Sequence, residues 1–287
     1  MSESYSEKLV RITITFDEGG ENGSQMIFMQ HAMNMRITKQ GAPELPKAQI
    51  EIYGLSMDQM MQLTMLSFDA LSLRRNVIEI AAGDSASNLA VVFQGEIMNS
   101  APDMNKAPSP VMQIEAITAA YPQLLPTAPV AIKGEQTAES LGQSFAQQSG
   151  LSFVNCGMQG SLKNCVINGD PMNKARWLAN TMGMDLVIDD KEMVFVAPDK
   201  ARGETVAVDV IDPESGEIGY PSFDSMGIQA TCFFNPNLRV AGLCRIKSSM
   251  PRASGVWKIY SVTHDLAVNM PSGGAWRTTI AGTWMDS

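Results

Sequence analysis

The last thirty residues constrain this chain more than any other stretch. Gly255 to Trp284 read GVWKIYSVTHDLAVNMPSGGAWRTTIAGTW. Val256, Lys258, Tyr260, Val262, His264, Leu266 and Val268 recur with period two, the spacing of one face of a strand. Such a strand runs about 40 Å at roughly 3.3 Å per residue, twice the usual length. Pro271-Ser-Gly-Gly274 supplies a turn, and Trp276, Thr278, Ile280 and Trp284 repeat the alternation on the way back. A long terminal hairpin follows. It needs a sheet to join or a barrel to close, because a lone two-stranded ribbon is marginal in water.

No stretch of the 287 residues approaches the roughly 18 consecutive apolar residues of a membrane helix. The N-terminus, Met1-Ser-Glu-Ser-Tyr-Ser-Glu-Lys8, is polar and lacks the apolar region of a signal peptide, so a cytoplasmic origin is expected. The cysteines at 156, 165, 232 and 244 form no C-x-x-C and read as reduced thiols. If Asn235-Pro-Asn237 turns a hairpin, Cys232 faces Val240 and not Cys244. Net charge is −9, and between Asp185 and Glu217 ten acids stand against three bases. Sequence-independent DNA binding needs clusters of Lys and Arg, and none is present. The acidic stretch reads first as a solvated rim, then as a wall that repels nucleic acid or a dock for a basic partner.

Earlier in the chain, Val10, Ile12, Ile14 and Phe16 mark a first strand, followed by an apolar run at Met26–Phe28 and strands over 32–38 and 48–53. Ser56 and Gln59 form a capping box that starts a helix, with Met57, Met60, Met61, Thr64, Met65 and Phe68 on one face. That stripe is expected to be core, although methionines also make adaptable partner surfaces. Strands over 76–81 and 89–94 flank the turn Gly83-Asp-Ser-Ala-Ser87, and 111–119 closes a region expected to be a small β-barrel or sandwich. Pro122, Pro126 and Pro129 mark a linker.

An internal repeat follows. Val130–Gly134 leads into a helix over 136–148 that stops at Gly150; residues 165–169 lead into a helix over 171–182 that stops at Gly183. Two strand–helix–strand copies suggest a split βαβ domain. From Glu204 the pattern returns to β. The expected organisation is a β-domain over 1–121, a linker over 122–129, an α/β insert over 130–200 and a second β-domain over 201–287.

Catalytic chemistry is poorly represented. His31 and His264 are the only histidines, and neither has an acid at metal-ligand spacing. Gly83-Asp-Ser-Ala86 is similar to the nucleophile block of some esterases but lies between strands, where turn residues explain it better. Asp189-Asp190 reads as an exposed turn, not as half of a glycosidase pair. No enzyme activity and no cofactor are expected.

Gly255-Val-Trp-Lys-Ile-Tyr-Ser-Val-Thr-His-Asp-Leu266 with Gly274-Ala-Trp-Arg-Thr-Thr-Ile280 resembles the C-terminus of phage baseplate hub and late-control tail proteins. Ala48-Gln-Ile-Glu-Ile-Tyr-Gly-Leu-Ser56, Ile78-Glu-Ile-Ala-Ala-Gly83 and Val92-Phe-Gln-Gly-Glu-Ile97 are similar to further blocks of tail hub chains, with Gly54 and Asp84 in place of the usual Asn and Tyr. The resemblance implies a mainly β chain in which two tail-tube-like barrels flank the insert. It also implies a homotrimer forming a pseudo-hexameric ring, in the virion's tail tip, after assembly in the bacterial cytoplasm. That ring joins a sixfold tail tube to a threefold spike, contacts other baseplate proteins, initiates tube assembly and lets DNA pass. Trp257, Ile259, Tyr260, His264, Trp276 and Trp284 are then candidate ring-wall residues, and Asp209, Asp212, Glu214 and Glu217 a candidate lumen or partner patch. The rival classes are a tail-associated peptidoglycan hydrolase and a peptide- or glycan-binding module built on the 130–197 repeat.

Overall fold

The computed structural model describes residues 7–16, 23–64, 76–85, 87–106, 109–123, 127–203, 209–214 and 216–285. The chain divides into two compact units. Unit 1 comprises Met1–Thr38, Lys47–Thr118 and His264–Arg277; unit 2 comprises Lys39–Pro46, Ala119–Thr263 and Thr278–Ser287. Most strands enter a large, mainly antiparallel sheet, accompanied by small α+β parts.

Unit 1 begins with β1 (Leu9–Thr15), β2 (Gln25–Phe28), β3 (Met33–Gln40), β4 (Lys47–Tyr53), α1 (Met57–Leu63), β5 (Val77–Gly83), β6 (Ala90–Asp103) and β7 (Val111–Ile117). Alternation does what the sequence demands: Val10, Ile12 and Ile14 are buried, as are Met33, Met35, Ile37, Ala48, Ile50 and Ile52. Strand β6 runs past the expected end at Gln94 to Asp103, its register slipping against β7 between Ile97 and Asn99. The slip lets one strand bend and keep pairing.

The capping box of α1 forms as expected, with Ser56 Oγ accepting from Gln59 N–H and Gln59 Oε1 accepting from Ser56 N–H. The methionine stripe is corrected. Met60 and Leu63 are buried, but Met57 and Met61 are 53 and 62% exposed. Thr64 ends the helix early in an extended conformation, its hydroxyl donating to Met60 O, so the buried face of this seven-residue helix is confined to Met60 and Leu63. Met65 and Phe68 lie outside the described residues.

Unit 2 continues with β8 (Val130–Ala131), β9 (Glu135–Thr137), α2 (Ala138–Gln148), β10 (Ser152–Cys156), β11 (Ser161–Lys163), β12 (Val166–Ile167), α3 (Pro171–Met182), β13 (Asp185–Asp189) and β14 (Glu192–Val196). The repeat is visible in its helix ends. Thr137 and Asp170 are N-caps, and Pro171 occupies the first turn, where its missing N–H costs nothing. Gly150 and Gly183 then take φ of 69° and 67°, and the residue after each bonds back to the helix, Leu151 N–H to Ala146 O and Met184 N–H to Ala179 O. The lead strands of the two copies, β8 and β12, pair antiparallel with each other. Strand β14 pairs parallel with β10 and antiparallel with β13. Leu186, Ile188, Met193 and Phe195 face a core shared with α2 and α3, while Val187, Val194 and Val196 face a second core. Burial on both faces explains the unbroken apolar run Met193-Val-Phe-Val-Ala197.

The remaining strands are β15 (Asp209–Ile211), β16 (Ser222–Phe223), β17 (Ile228–Phe233), β18 (Leu243–Ile246), β19 (Gly255–Val268) and β20 (Trp276–Trp284). Strands β19 and β20 have residues in both units. Within unit 2 the order is β16-β17-β20-β19, with β18 pairing β19 and β15. The condition that Asn235-Pro-Asn237 turns a hairpin is not met, since β17 and β18 pair with different strands. Asn235 instead makes a local turn, its Oδ1 accepting from Asn237 N–H while its own N–H donates to Thr278 Oγ1. Ala241 and Gly242 dock against Ile259, sending the chain to the far side of β19. None of the four cysteines is in a disulfide.

Within unit 1, the strand order is β20-β19-β3-β4-β7-β6-β5-β1-β2. Neither β2 nor β16 has a further strand beside it in this ordering, so the described strands form an open sheet and not two closed barrels.

Candidate functional site

The terminal hairpin forms over the predicted length, with Ala267 N–H donating to Ala275 O across the turn. Its face assignment holds only in part. Trp257 and Ile259 are buried, then Val262, His264, Leu266 and Val268, so the buried phase switches parity between Tyr260 and Ser261, both half-buried. A strict period of two places 256, 258 and 260 on the core face; one extra residue in the alternation turns that half over.

The candidate ring-wall residues therefore divide. In unit 2, Trp257 is 4% exposed, its Nε1–H donates to Ala253 O at 3.0 Å, and Trp284, 53% exposed, stands edge-on to it with ring centroids 5.0 Å apart. Ile259 is buried in the same core and Tyr260 is half-buried, its hydroxyl pushed up by burial and by Asp224. In unit 1, His264 is buried and Trp276 half-buried, with the Lys8 ammonium 5.9 Å above its ring.

Among the candidate acids, the structure brings Asp212 and Glu217 together. Glu217 N–H donates to Asp212 O, and burial followed by the Asp212 charge raises the Glu217 carboxyl above its usual range. Glu214 is exposed, and Asp209 contributes its backbone to the β15–β18 pairing. The esterase-like block is a hairpin loop between β5 and β6, with Ser85 Oγ 3.3 Å from Ser87 Oγ. Among the described residues, no group of three or more His, Cys, Asp or Glu is placed to hold a metal ion.

Two charge clusters escape sequence reasoning. In unit 2, Asp189 is 3% exposed, which corrects its reading as a solvated turn residue. Its carboxylate accepts from Lys39 Nζ at 2.6 Å and from Arg202 Nη1 at 2.5 Å. Lys39 also meets Asp190 at 3.0 Å, and Arg202 also pairs with Glu192. Burial alone raises the Asp189 carboxyl, but the Lys39 and Arg202 charges and hydrogen bonds outweigh it and hold the group well below the ordinary range. Lys39 lies 150 residues from Asp189, so no local pattern announces the pair.

In unit 1, Asp265 on β19 accepts from Arg36 Nε on β3 at 2.7 Å and from Arg277 on β20 at 3.2 Å. Burial raises this carboxyl, and the Arg36 and Arg277 interactions more than offset that. Counting back from the Ala267–Ala275 bond sets Asp265 opposite Arg277, while Arg36 lies 229 residues from Asp265 in the sequence. A groove of about 460 Å³ opens on this side of the sheet, lined by Asn34, Arg36, Gln49, Glu51, Gln113 and Asp265 among others. Glu51 accepts from Lys106 at 2.8 Å, and this hydrogen bond lowers its carboxyl despite burial.

A protein-family model described as baseplate hub gp41 matches residues 9–270. No curated protein matches the sequence. Among solved structures, the chain is similar to a tail protein from Neisseria meningitidis MC58, with TM-score 0.64 and 10% identity over 95% of this chain and 96% of that one. It is similar to the 43 kDa tail protein of prophage MuSo2 from Shewanella oneidensis, with TM-score 0.64 and 10% identity over 97 and 96% of the two chains. An E. coli component of the type VI secretion system, described as structurally similar to the T4 tail proteins gp27 and gp5, aligns with TM-score 0.56 and 9% identity over 94 and 76%.

Proposed function

Because the chain belongs to the baseplate hub gp41 family, we propose that three copies close into a pseudo-hexameric ring at the tail tip. The family makes the chain a structural component of a phage tail baseplate. In the ring, segments 1–121 and 201–287 each supply a tube-like barrel whose wall is completed by neighbouring copies. Residues 130–200 form an insert between them, and 122–129 the connector. The ring joins a sixfold tail tube to a threefold spike, seeds tube assembly and leaves a passage for DNA. Trp257, Ile259 and His264 set the hairpin's inner packing, while Tyr260, Trp276 and Trp284 sit at its accessible side. The acids Asp209, Asp212, Glu214 and Glu217 serve as a dock for a basic partner.

The observation that carries this reading is the open sheet. Among the described strands, β2 and β16 end the order, and an edge strand is a template for another chain. Pairing between copies satisfies those edges and makes assembly directional. The mass of the purified protein, alone and co-expressed with the spike protein, tests it. Three 31.1 kDa chains, about 93 kDa, are expected. A chain that stays monomeric in both cases overturns the ring.

A further inference from the structure

One ribbon of unit 2 carries an uncovered apolar surface. Segment 216–223 runs antiparallel to β17: Ile218 N–H donates to Thr231 O, Phe233 N–H donates to Gly216 O, and Phe223 stands opposite Ile228. The ribbon presents Ile218, Tyr220, Phe223, Met226 and Phe233, all between 38 and 79% exposed. The Phe233 ring lies over Gly216 and leaves no room there for a Cβ, so it is held in place without being enclosed. Several large apolar side chains exposed along one ribbon mark a contact surface. Acids stand among them. Glu217 and Asp224 belong to the ribbon, and Glu217 N–H donates to Asp212 O, which keeps Asp212 beside it.

Charge selects the occupant. Residues 203–224 hold six acids, Glu204, Asp209, Asp212, Glu214, Glu217 and Asp224, and no base. Residues 225–264 hold Arg239, Arg245, Lys247, Arg252 and Lys258, and no acid. Lys258 is engaged by Asp185 and by the carbonyls of Ala197 and Pro198. The other four are exposed, and among the described residues none of them is in an ion pair. One copy therefore leaves its two blocks of opposite sign unmatched. Ribbon against ribbon sets acid on acid, whereas ribbon against the basic stretch brings opposite charges together and lays guanidiniums on aromatic rings. We propose that ribbon 216–233 of one copy docks on stretch 239–252 of a second copy. Tyr220, Phe223 and Phe233 are its anchors, and Arg239, Arg245, Lys247 and Arg252 face the acids. The proposal rests on the reading that copies of this chain assemble, and it makes the next copy the basic partner of those acids.

The test follows self-association of the full-length chain by analytical ultracentrifugation. Glu214→Lys with Glu217→Lys and Ser222→Lys makes the ribbon side positive; Arg245→Glu with Lys247→Glu and Arg252→Glu makes the basic stretch negative. Each variant alone brings like charge onto like charge and associates about tenfold or more weakly than the wild type. Mixed one to one, the two associate with each other at close to wild-type strength, because the positive ribbon of one meets the negative stretch of the other. Wild-type association weakens as salt is raised. Tyr220→Ser, at an exposed anchor, weakens association and leaves the thermal midpoint of the monomer unchanged, so the proposal stays open to refutation even if a reversed chain misfolds. Folded reversed variants that do not recover in the mixture, or that associate alone as the wild type does, overturn the proposal, and so does unchanged association of Tyr220→Ser. In those cases a wild-type chain that still assembles leaves the ring reading standing. A wild-type chain that stays monomeric, alone and with the spike protein, sinks both. Binding of a labelled duplex that is lost on reversal of Arg245, Lys247 and Arg252, with self-association intact, gives the basic stretch to nucleic acid and overturns the contact between copies.

Discussion

Lys39 Nζ lies 2.6 Å from Asp189 Oδ1, a buried ion pair between residues 150 apart in the sequence. With Arg202 on the other carboxylate oxygen, Asp189 ties segment 39–46, the β13–β14 hairpin and the loop after β14 into one unit. Removing one partner of such a cluster leaves an uncompensated buried charge. Lys39→Met or Asp189→Ala is therefore expected to cost about 3–5 kcal/mol, read as a fall in the urea midpoint. Lys39→Met with Asp189→Leu removes both charges and recovers part of that loss. The pH dependence has a definite sign. Asp189 titrates lower in the folded chain than in the unfolded one, so its stabilisation is complete above about pH 4. It is lost progressively as pH falls below that value. Asp189→Asn flattens this acid limb.

Glu217 behaves in the opposite way. Burial and the nearby Asp212 charge raise its carboxyl, so the ionised group opposes folding at neutral pH. The penalty is present above the raised folded value and vanishes as pH falls through it. Glu217→Gln is expected to raise the thermal midpoint at pH 7, and to match the wild type below about pH 4, where both states of the carboxyl are protonated. A lower midpoint at pH 7 would mean that the Glu217 carboxylate makes favourable contacts that outweigh its burial and its repulsion by Asp212.

The Trp257–Trp284 pair contrasts a buried ring with an exposed one in edge-to-face contact. Trp257→Ala opens a core cavity and leaves Ala253 O without its donor, at a cost of about 3–5 kcal/mol. Trp284→Ala loses about 0.5–1.5 kcal/mol of ring contact. Urea midpoints should rank the two variants in that order, and the near-UV circular dichroism of the pair should collapse in both.

How much of this is legible in the sequence depends on the range of the interaction. Helices α2 and α3 are readable almost to the residue, because Asp170, Pro171, Gly150 and Gly183 are local signals with local causes. The length of β19 is equally plain, and its lower half keeps the predicted face. Its upper half does not, because nothing in Gly255–Ser261 shows where the alternation slips. Met57 and Met61 look like core for a similar reason: periodicity marks a stripe but not the depth of what covers it. The Lys39–Asp189 pair and the different partners of β17 and β18 depend on contacts between distant segments, which no window of sequence contains.

The phase switch in β19 is itself testable. Val262 lies fully buried just after it and Val256 half-buried before it, although both sit on the same face of an ideal strand. Val262→Asn places an amide in the core and is expected to cost about 1–3 kcal/mol or more. Val256→Asn should change stability by about 0.5 kcal/mol or less, as for a substitution outside the core. Equal urea midpoints for the two variants would mean that the strand keeps a single phase.

Lys174 offers a last probe, on the connector. It lies wholly buried on α3, yet its ammonium donates to Thr127 Oγ1 at 2.8 Å and to Ala128 O at 2.7 Å. Thr127 Oγ1 in turn donates to Gly169 O, next to the helix N-cap Asp170. The lysine thus anchors the C-terminal end of the Pro-rich stretch, where composition alone suggests a free linker. Lys174→Met keeps the length and the burial of the stem but leaves Ala128 O unpaired, at a cost of about 1–3 kcal/mol. Part of that cost should be felt locally, as release of the chain around Thr127 and Ala128. Limited proteolysis is expected to cut the variant there faster than the wild type, at equal global stability after correction with urea. Lys174→Arg keeps the charge but needs more room than a fully enclosed site has, and should not restore the protection. An unchanged cleavage rate in Lys174→Met would show that the proline residues, and not the buried ammonium, hold this segment.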